Sequence, residues 1–158
     1  MNLNKFTEKA QEAVVGSPQL ASEFKHAQVE PEHLLLALVE QENGVVPTVL
    51  RKMSVDPGAL GQALRAHLGK QPQAHGGSEP HLSPRMRVVL DAAQDEAKAM
   101  QDEYVSTEHL LLGILNEPGR SVAIDLLKQR NVTRERVLEA LAGVRGSQRV
   151  TDPNPENK

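Results

Sequence analysis

An internal repeat constrains the fold of this chain more than any other feature of its 158 residues. The segment VEPEHLLLAL at 29–38 recurs as VSTEHLLLGI at 105–114, so that Val, Glu, His and three Leu keep matching places at an offset of 76 residues. The register extends upstream, where Phe6 and Phe24 align with Leu82 and Met100. Downstream the offset becomes 77, because Val55 aligns with Val132. Equal apolar patterns over two stretches predict two halves with the same packing.

Each half is predicted to contain four helices. The apolar residues before the repeated motif step by three and four, as one face of a helix requires. Hydroxyl residues stand where helices would begin, and Pro or Gly where they would end. The predicted helices start near residues 7, 31, 47 and 56 in the first half and near residues 83, 107, 121 and 133 in the second. Pro18 interrupts the first of them, and we expect a kink there because the apolar stripe resumes after it.

These elements predict an all-α fold made of two four-helix repeats related by a pseudo-two-fold axis. Repeat one covers residues 1–69, a Gly-, Gln-, Pro- and His-rich loop covers 70–81, and repeat two covers 82–146. Residues 147–158 show no apolar periodicity, which is typical of a linker. We expect that linker to lead to further modules of a longer protein.

Composition excludes several classes of protein. The formal net charge is -3, and only three residues are aromatic, so neither the basic stripe nor the stacking platform of a nucleic-acid binder is present. The sequence has no Cys, which excludes disulfides and thiolate metal sites and is compatible with a reducing cytoplasm. No apolar run has the length of a membrane span or of a signal peptide. The composition favours a cytoplasmic protein that binds neither nucleic acid nor membrane.

No motif in the sequence indicates catalysis or a cofactor. The one Gly-Lys pair, Gly69-Lys70, stands at a predicted helix end and not between a strand and a helix, so it does not form a phosphate loop. The six His never recur at the helical spacings that create a metal site. We therefore expect that this chain is not an enzyme and holds neither a metal nor a nucleotide.

The carboxylates leave two interpretations open. Asp91, Asp95, Glu96, Asp102 and Glu103 form an acidic run along the fifth predicted helix and its end, most simply explained as a solvated helix face. Glu32 and Glu108 each lie in the first turn of a helix, where a carboxylate stabilises the helix dipole. Alternatively, the two Glu could hold a cationic or amide group of a peptide at the surface. The Leu runs 34–36 and 110–112 are expected in the core.

The doubled four-helix unit, with Thr7-Glu8-Lys9-Ala10 at its start and Glu-His-Leu-Leu-Leu in each half, resembles the Clp amino-terminal domain of the Hsp100 chaperones. The resemblance covers residues 1 to about 146, and the segment after it is most similar to the linker of the ClpB branch. It implies a monomeric domain that captures unfolded or aggregated polypeptides for a hexameric ATPase disaggregase, with ATP and Mg bound in the ATPase modules of the same protein. Through that protein, the DnaK chaperone system is an implied partner.

The resemblance also implies site residues. Thr7, Asp102 and Glu108 match polar positions that the family uses in substrate interaction, and Phe6 and Tyr104 supply apolar edges beside them. In the alternative ClpC-like interpretation, Glu32 and Glu108 match paired Glu that bind the guanidinium of phosphoarginine-marked clients, and adaptors are partners. A third possibility is a structural domain that modulates the hexamer. In the first interpretation these residues form a shallow surface, so that Asp102→Ala and Glu108→Ala would barely alter stability.

Overall fold

A computed structural model describes residues 3–77, 79–146 and 150–155 of the chain. Within these ranges there are eight α-helices, two strands of two residues each and a short 3-10 turn. The first half contains α1 (Glu8–Glu23), β1 (Gln28–Val29), α2 (Pro31–Glu40), α3 (Val45–Lys52) and α4 (Pro57–Gly69). The second half contains β2 (His81–Leu82), α5 (Pro84–Ala99), α6 (Thr107–Leu115), α7 (Val122–Gln129) and α8 (Arg134–Arg145). The predicted all-α class with four helices in each half is confirmed.

The hydroxyl residues before α1 and α5 cap these helices. Thr7 Oγ1 accepts a hydrogen bond from the Ala10 amide at 3.2 Å, and Ser83 Oγ accepts one from the Met86 amide at 3.0 Å. Each cap satisfies an N–H group that has no partner within its helix. The two caps lie at matching places in the repeat, so the predicted starts of α1 and α5 are confirmed.

The central helices α2 and α6 begin with capping boxes that use histidine. The Glu30 amide donates to Nδ1 of His33 at 2.9 Å, and the Ser106 amide donates to Nδ1 of His109 at 2.8 Å. A capping box usually carries Glu or Gln at this position. The His of the repeated Glu-His motif therefore marks the start of a helix, which the apolar periodicity did not indicate.

The pseudo-two-fold axis is visible in how the halves exchange backbone pairs. Phe6 pairs in parallel with Val105, and Leu82 pairs in parallel with Val29. The repeat offset maps Phe6 onto Leu82 and Val29 onto Val105, so the two pairs are copies of one contact. The segment before the first helix of each half thus pairs with the turn that leads into the second helix of the other half. These pairs are too short to form the central sheet that would contradict an all-α fold.

The core lies between the two central helices and the helices around them. All six Leu of the repeated runs, in α2 and α6, are fully buried. Their burial confirms the prediction made from the breadth of their apolar faces. None of the helices in the described ranges has the length and apolar character needed to cross a bilayer.

Helix α1 continues through Pro18, as expected from the apolar stripe. The residue directly before it is Ser17, whose hydroxyl donates to the carbonyl of Ala13, one turn earlier, at 2.8 Å. The acidic run of the second half, in contrast, is not one solvated face. Asp91, Asp95 and Glu103 are exposed, but Glu96 and Asp102 are buried. For these two carboxylates the solvated interpretation is wrong, and both have arginine partners.

Candidate functional site

The parallel pairs create two junctions between the halves. At the tail-side junction (residues 5–8 and 102–108) the start of α1 meets the turn between α5 and α6. At the cleft-side junction (residues 26–33 and 81–85) the start of α5 meets the turn between α1 and α2. The Thr7 amide donates to the Val105 carbonyl at 2.9 Å, and the equivalent Ser83 amide donates to the Val29 carbonyl at 3.1 Å. The two junctions therefore share one backbone frame and differ in their side chains.

The structure brings five of the six predicted site residues to one place. Thr7, Phe6, Asp102, Tyr104 and Glu108 all belong to the tail-side junction. Their convergence was expected from the pseudo-two-fold, which carries the start of α1 to the end of α5. The sixth residue, Glu32, occupies the position equivalent to Glu108 in the cleft-side junction.

The expectation that these side chains form a surface is wrong for most of them. Phe6 and Thr7 are buried, Asp102 is 9% exposed, and Glu32 and Glu108 are each 3% exposed. Only Tyr104 is half-buried, and its ring lies 5.9 Å from Nζ of Lys5. The buried carboxylates therefore support the junction from within, and Tyr104 presents an accessible edge.

Asp102 is the centre of a hydrogen-bond network. Its Oδ2 accepts from Nε2 of His109 at 2.7 Å, and its Oδ1 accepts from Nη2 of Arg145 at 2.7 Å. Oδ1 also accepts from the Val150 amide at 2.7 Å. Burial raises the pKa of the Asp102 carboxyl, but the bonds from Arg145 and Val150 outweigh it and hold the pKa below its ordinary value. Asp102 is therefore a fixed negative charge that joins α6, α8 and the C-terminal segment.

One set of hydrogen bonds has the connectivity of a catalytic triad but does not provide an accessible nucleophile. It joins Ser106, His109 and Asp102. Ser106 Oγ lies 3.0 Å from His109 Nδ1, but Nδ1 already accepts the Ser106 amide at 2.8 Å. In neutral His109 the proton is consequently on Nε2, where it is donated to Asp102. All three side chains are buried, so no substrate reaches the hydroxyl. The arrangement caps α6 and orients Asp102.

The segment after α8 lies across the tail-side junction. The Val150 carbonyl accepts from the amides of Glu103 and Tyr104 at 2.8 and 3.3 Å, and the Pro153 carbonyl accepts from the Glu8 amide at 2.7 Å. Glu8 is the first residue of α1, so this carbonyl satisfies one of the free N–H groups of that helix. The Val150 side chain is 5% exposed. The absence of apolar periodicity predicted only a linker here, and nothing in the sequence indicated this contact.

The cleft-side junction holds its carboxylate in a different way. Glu32 Oε2 accepts from Nη2 of Arg85 at 3.1 Å and from the Ala123 amide, at the start of α7, at 3.0 Å. Arg85 also donates to Glu117, with Nη2 2.9 Å from Oε1. Burial raises the pKa of Glu32, but the bonds from Arg85 and the Ala123 amide bring it below its ordinary value. Glu32 thus ties α5 and α7 to the start of α2.

A cleft of about 500 Å³ opens beside this junction, bordered by the end of α4 and the turn between α1 and α2. His33 lies at its base, with Nε2 2.9 Å from Nδ1 of His26. Because Nδ1 of His33 accepts the Glu30 amide, Nε2 donates to His26. Burial and the neighbouring His26 lower the pKa of His33 to about 4. Among the described residues, no group of three or more His, Asp or Glu has the arrangement of a metal site.

Sequence reasoning missed the arginines and the C-terminal segment. Arg85 and Arg145 meet their carboxylates across 53 and 43 residues of chain, a separation that leaves no periodic pattern. The capping histidines His33 and His109 could have been recognised, because each stands three positions after the residue that precedes its helix. His26 and Asp102 also occupy equivalent places, and both accept a hydrogen bond from the capping histidine.

Comparisons with known proteins agree on one family. The model of the Clp repeat (R) N-terminal domain matches residues 5–130. Chaperone protein ClpB of Nitratidesulfovibrio vulgaris is 44% identical over 161 residues, covering 99% of this chain and 19% of that protein. Chaperone protein ClpB of Bdellovibrio bacteriovorus is 41% identical over 153 residues, covering 96% of this chain and 18% of that protein. The chain thus spans about a fifth of the length of these relatives.

Solved structures show the same fold. The N-terminal domain of Hsp104 from Candida albicans has a TM-score of 0.83 at 22% identity, covering 98% of this chain and 100% of that one. The ClpV N-domain in a complex with a VipB peptide has a TM-score of 0.66 at 16% identity, covering 94% of each chain. At these identities the likeness concerns the fold.

Proposed function

Because this chain belongs to the Clp repeat (R) N-terminal domain family, we propose that it is the substrate-binding domain of a ClpB-type disaggregase. In this proposal it captures unfolded or aggregated polypeptides in the cytoplasm and passes them to the ATPase modules of its own, longer protein. That protein is a hexamer that binds ATP and Mg and works with the DnaK system. The domain itself contributes binding and no catalysis.

One observation carries the proposal: the tail-side junction already holds a stretch of polypeptide by its main chain. Backbone groups of Glu8, Glu103 and Tyr104 bind carbonyls of segment 150–153, and these bonds do not depend on the side chains of the bound segment. A surface of this kind suits clients without a common sequence. A domain of the same fold, the ClpV N-domain, forms a complex with a VipB peptide. Polypeptide binding is therefore compatible with this architecture.

The buried residues have a defined part in this function. Thr7 and Phe6 position the start of α1, while Asp102 and Glu108 position the turn that carries Tyr104. We assign client contact to Tyr104, whose side chain is half-buried, and to the backbone groups beside it that segment 150–153 occupies in this structure. Thr7, Asp102 and Glu108 support from below the strip of the tail-side junction on which segment 150–153 lies, and we call this strip the groove. Glu32 has the equivalent supporting position in the cleft-side junction.

The arrangement of Glu32 disfavours the ClpC-like alternative. A paired-Glu site for phosphoarginine needs carboxylates that are open to an incoming guanidinium, but Arg85 already binds Glu32. Arg145 Nη1 likewise lies 3.7 Å from Oε2 of Glu108. We therefore expect that phosphoarginine added to the domain causes no saturable shift in its amide NMR spectrum. A saturable shift centred on Glu32 and Glu108 would favour the alternative.

Client binding is tested with a permanently unfolded protein, such as reduced and carboxymethylated lactalbumin, labelled for fluorescence anisotropy. We expect saturable binding to the domain and a several-fold weaker affinity for Tyr104→Ala, since an aromatic contact contributes about 1 kcal/mol. Gln28→Ala is the matched control, because Gln28 is exposed at the equivalent position of the first half. Absence of binding, with Tyr104→Ala and Gln28→Ala identical to the parent, would favour a structural domain that modulates the hexamer.

A further inference from the structure

Segment 150–153 is bound at the tail-side junction in the way that a peptide ligand would be. Its carbonyls at Val150 and Pro153 accept from three amides of the domain, and its Val150 amide donates to Asp102. The anchor points belong to the α5–α6 turn and to the start of α1. The segment therefore bridges two elements from different halves of the domain.

Only one side chain of the segment is buried against the domain. Val150 is 5% exposed, whereas Thr151 and Pro153 are exposed and Asp152 is half-buried. One small β-branched side chain together with main-chain hydrogen bonds is a recognition pattern that many polypeptides can satisfy. Unfolded chains present such residues frequently, with free backbone groups on both sides.

We propose that segment 150–153 is an intramolecular occupant of the client-binding groove, and that an extended stretch of client with an apolar residue at the Val150 position displaces it. This inference rests on the proposed function and adds a way in which client binding is regulated. The linker towards the rest of the protein thereby covers the groove when no client is present.

The interior of the domain does not depend on the segment. Asp102 keeps its bonds to His109 and Arg145 when the Val150 amide leaves. The hydroxyl of Thr7 continues to cap α1 through the Ala10 amide. The amides of Glu8, Glu103 and Tyr104 would be taken up by water or by the client. The segment can therefore leave without opening the core.

Tethering explains how so few contacts can cover the groove. A segment joined to the domain by a short stretch of the same chain is present at an effective concentration in the millimolar range, so weak binding is enough for occupancy. A client then binds only the fraction of molecules in which the groove is open. If the segment covers the groove in roughly nine of ten molecules, the apparent affinity for a client is reduced about tenfold.

The test uses substitutions in the whole chain. Val150→Asp places a charge in a buried position beside Asp102 and should release the segment, and Val150→Ala should release it in part. Thr151→Asp adds the same charge at an exposed neighbour and is the matched control. Hydrogen exchange at the Glu8, Glu103 and Tyr104 amides measures release, and anisotropy with carboxymethylated lactalbumin measures client affinity.

We expect faster exchange at these amides and about tenfold tighter client binding in Val150→Asp. Val150→Ala should give an intermediate gain, and Thr151→Asp should match the parent chain. The proposal is overturned if exchange accelerates while affinity stays the same or falls, or if Thr151→Asp tightens binding equally. It is also overturned if Val150→Asp leaves the amides protected. Absence of client binding in every chain would instead contradict the proposed function itself.

Discussion

His33 and His109 occupy the same position in the two repeats and have different surroundings. Both cap the start of a central helix through Nδ1, but the Nε2 proton goes to His26 in one half and to the Asp102 carboxylate in the other. His33 thus lies beside another histidine, whereas His109 lies beside a negative charge. The cap is common to the two halves, and the electrostatic environment is not.

The depressed pKa of His33 predicts that the domain loses stability as the pH falls. In the folded state the pKa is about 4, compared with an ordinary value of about 6.5. Between these values the unfolded chain binds a proton that the folded chain does not, so the free energy of unfolding decreases on acidification. The loss attributable to His33 reaches at most about 3 kcal/mol at pH 4.

His33→Gln tests this dependence, because Gln can keep the capping bond and does not titrate. Urea unfolding at several pH values between 7 and 4.5 should show a smaller loss of stability in this variant than in the parent. His75→Gln, at an exposed position in the loop, is the control for the substitution itself. If the free energy of unfolding fell equally with pH in His33→Gln and in the parent, the pH dependence would not arise from His33.

Asp102→Ala should destabilise the domain strongly, contrary to what its place in an acidic run suggested. The substitution leaves Arg145 and His109 without their buried carboxylate, and breaking a buried pair in this way costs about 3 kcal/mol or more. Asp91→Ala, on the exposed side of α5, should change the free energy of unfolding by about 0.5 kcal/mol or less. Denaturant titration of the two variants measures the difference, and equal midpoints would show that Asp102 is not tied into the fold.

The helix pairs α1–α2 and α5–α6 are equivalent in the repeat but pack differently. Gly113 stands in α6 where α2 has Ala37, and a Cβ atom at Gly113 would lie 2.6 Å from the Val89 carbonyl oxygen of α5. Backbone atoms cannot move aside as a flexible side chain can. The absence of a side chain at Gly113 therefore permits the close approach of α5 and α6.

Gly113→Ala should consequently destabilise the domain by about 2 kcal/mol, because the added methyl group forces the two helices apart. Gly16→Ala is the control, and its effect on stability should have the opposite sign. A Cβ atom at Gly16 meets no atom within 4 Å, so this change should stabilise α1 by about 0.5 to 1 kcal/mol. Thermal unfolding distinguishes them by the direction of the shift in Tm. A neutral Gly113→Ala would mean that the helices separate without cost.

The contacts between the two halves should make them unfold as one cooperative unit. Backbone pairs cross between them at both junctions, and Arg85 of the second half binds Glu32 of the first. Because Glu32 and Glu117 are buried, neither carboxylate has ready access to water as a substitute for Arg85. The charge of Glu32 is compensated only while the halves stay together, whereas Glu117 belongs to the same half as Arg85.

Arg85→Ala should therefore lower the free energy of unfolding of the whole domain by about 3 kcal/mol without splitting the transition. Arg65→Ala removes an arginine from an exposed pair with Glu40 inside the first half, and should cost about 1 kcal/mol or less. Unfolding followed by circular dichroism and by an NMR probe in each half should coincide. Separate transitions for the two halves would contradict the cooperative unit.

Sequence alone determined the fold of this protein, because the signals for it are local or periodic. Capping hydroxyls at Thr7 and Ser83, apolar spacing and the doubled Leu runs identified the helices, the core and the pseudo-two-fold. The convergence of Thr7 and Asp102 followed from that symmetry. Only the tertiary structure decided which polar groups are buried, since the arginine partners of Glu32 and Asp102 lie 43 or more residues away in sequence. The docking of Val150 was decided in the same way, because one apolar residue in a polar segment carries no pattern until the fold provides its pocket.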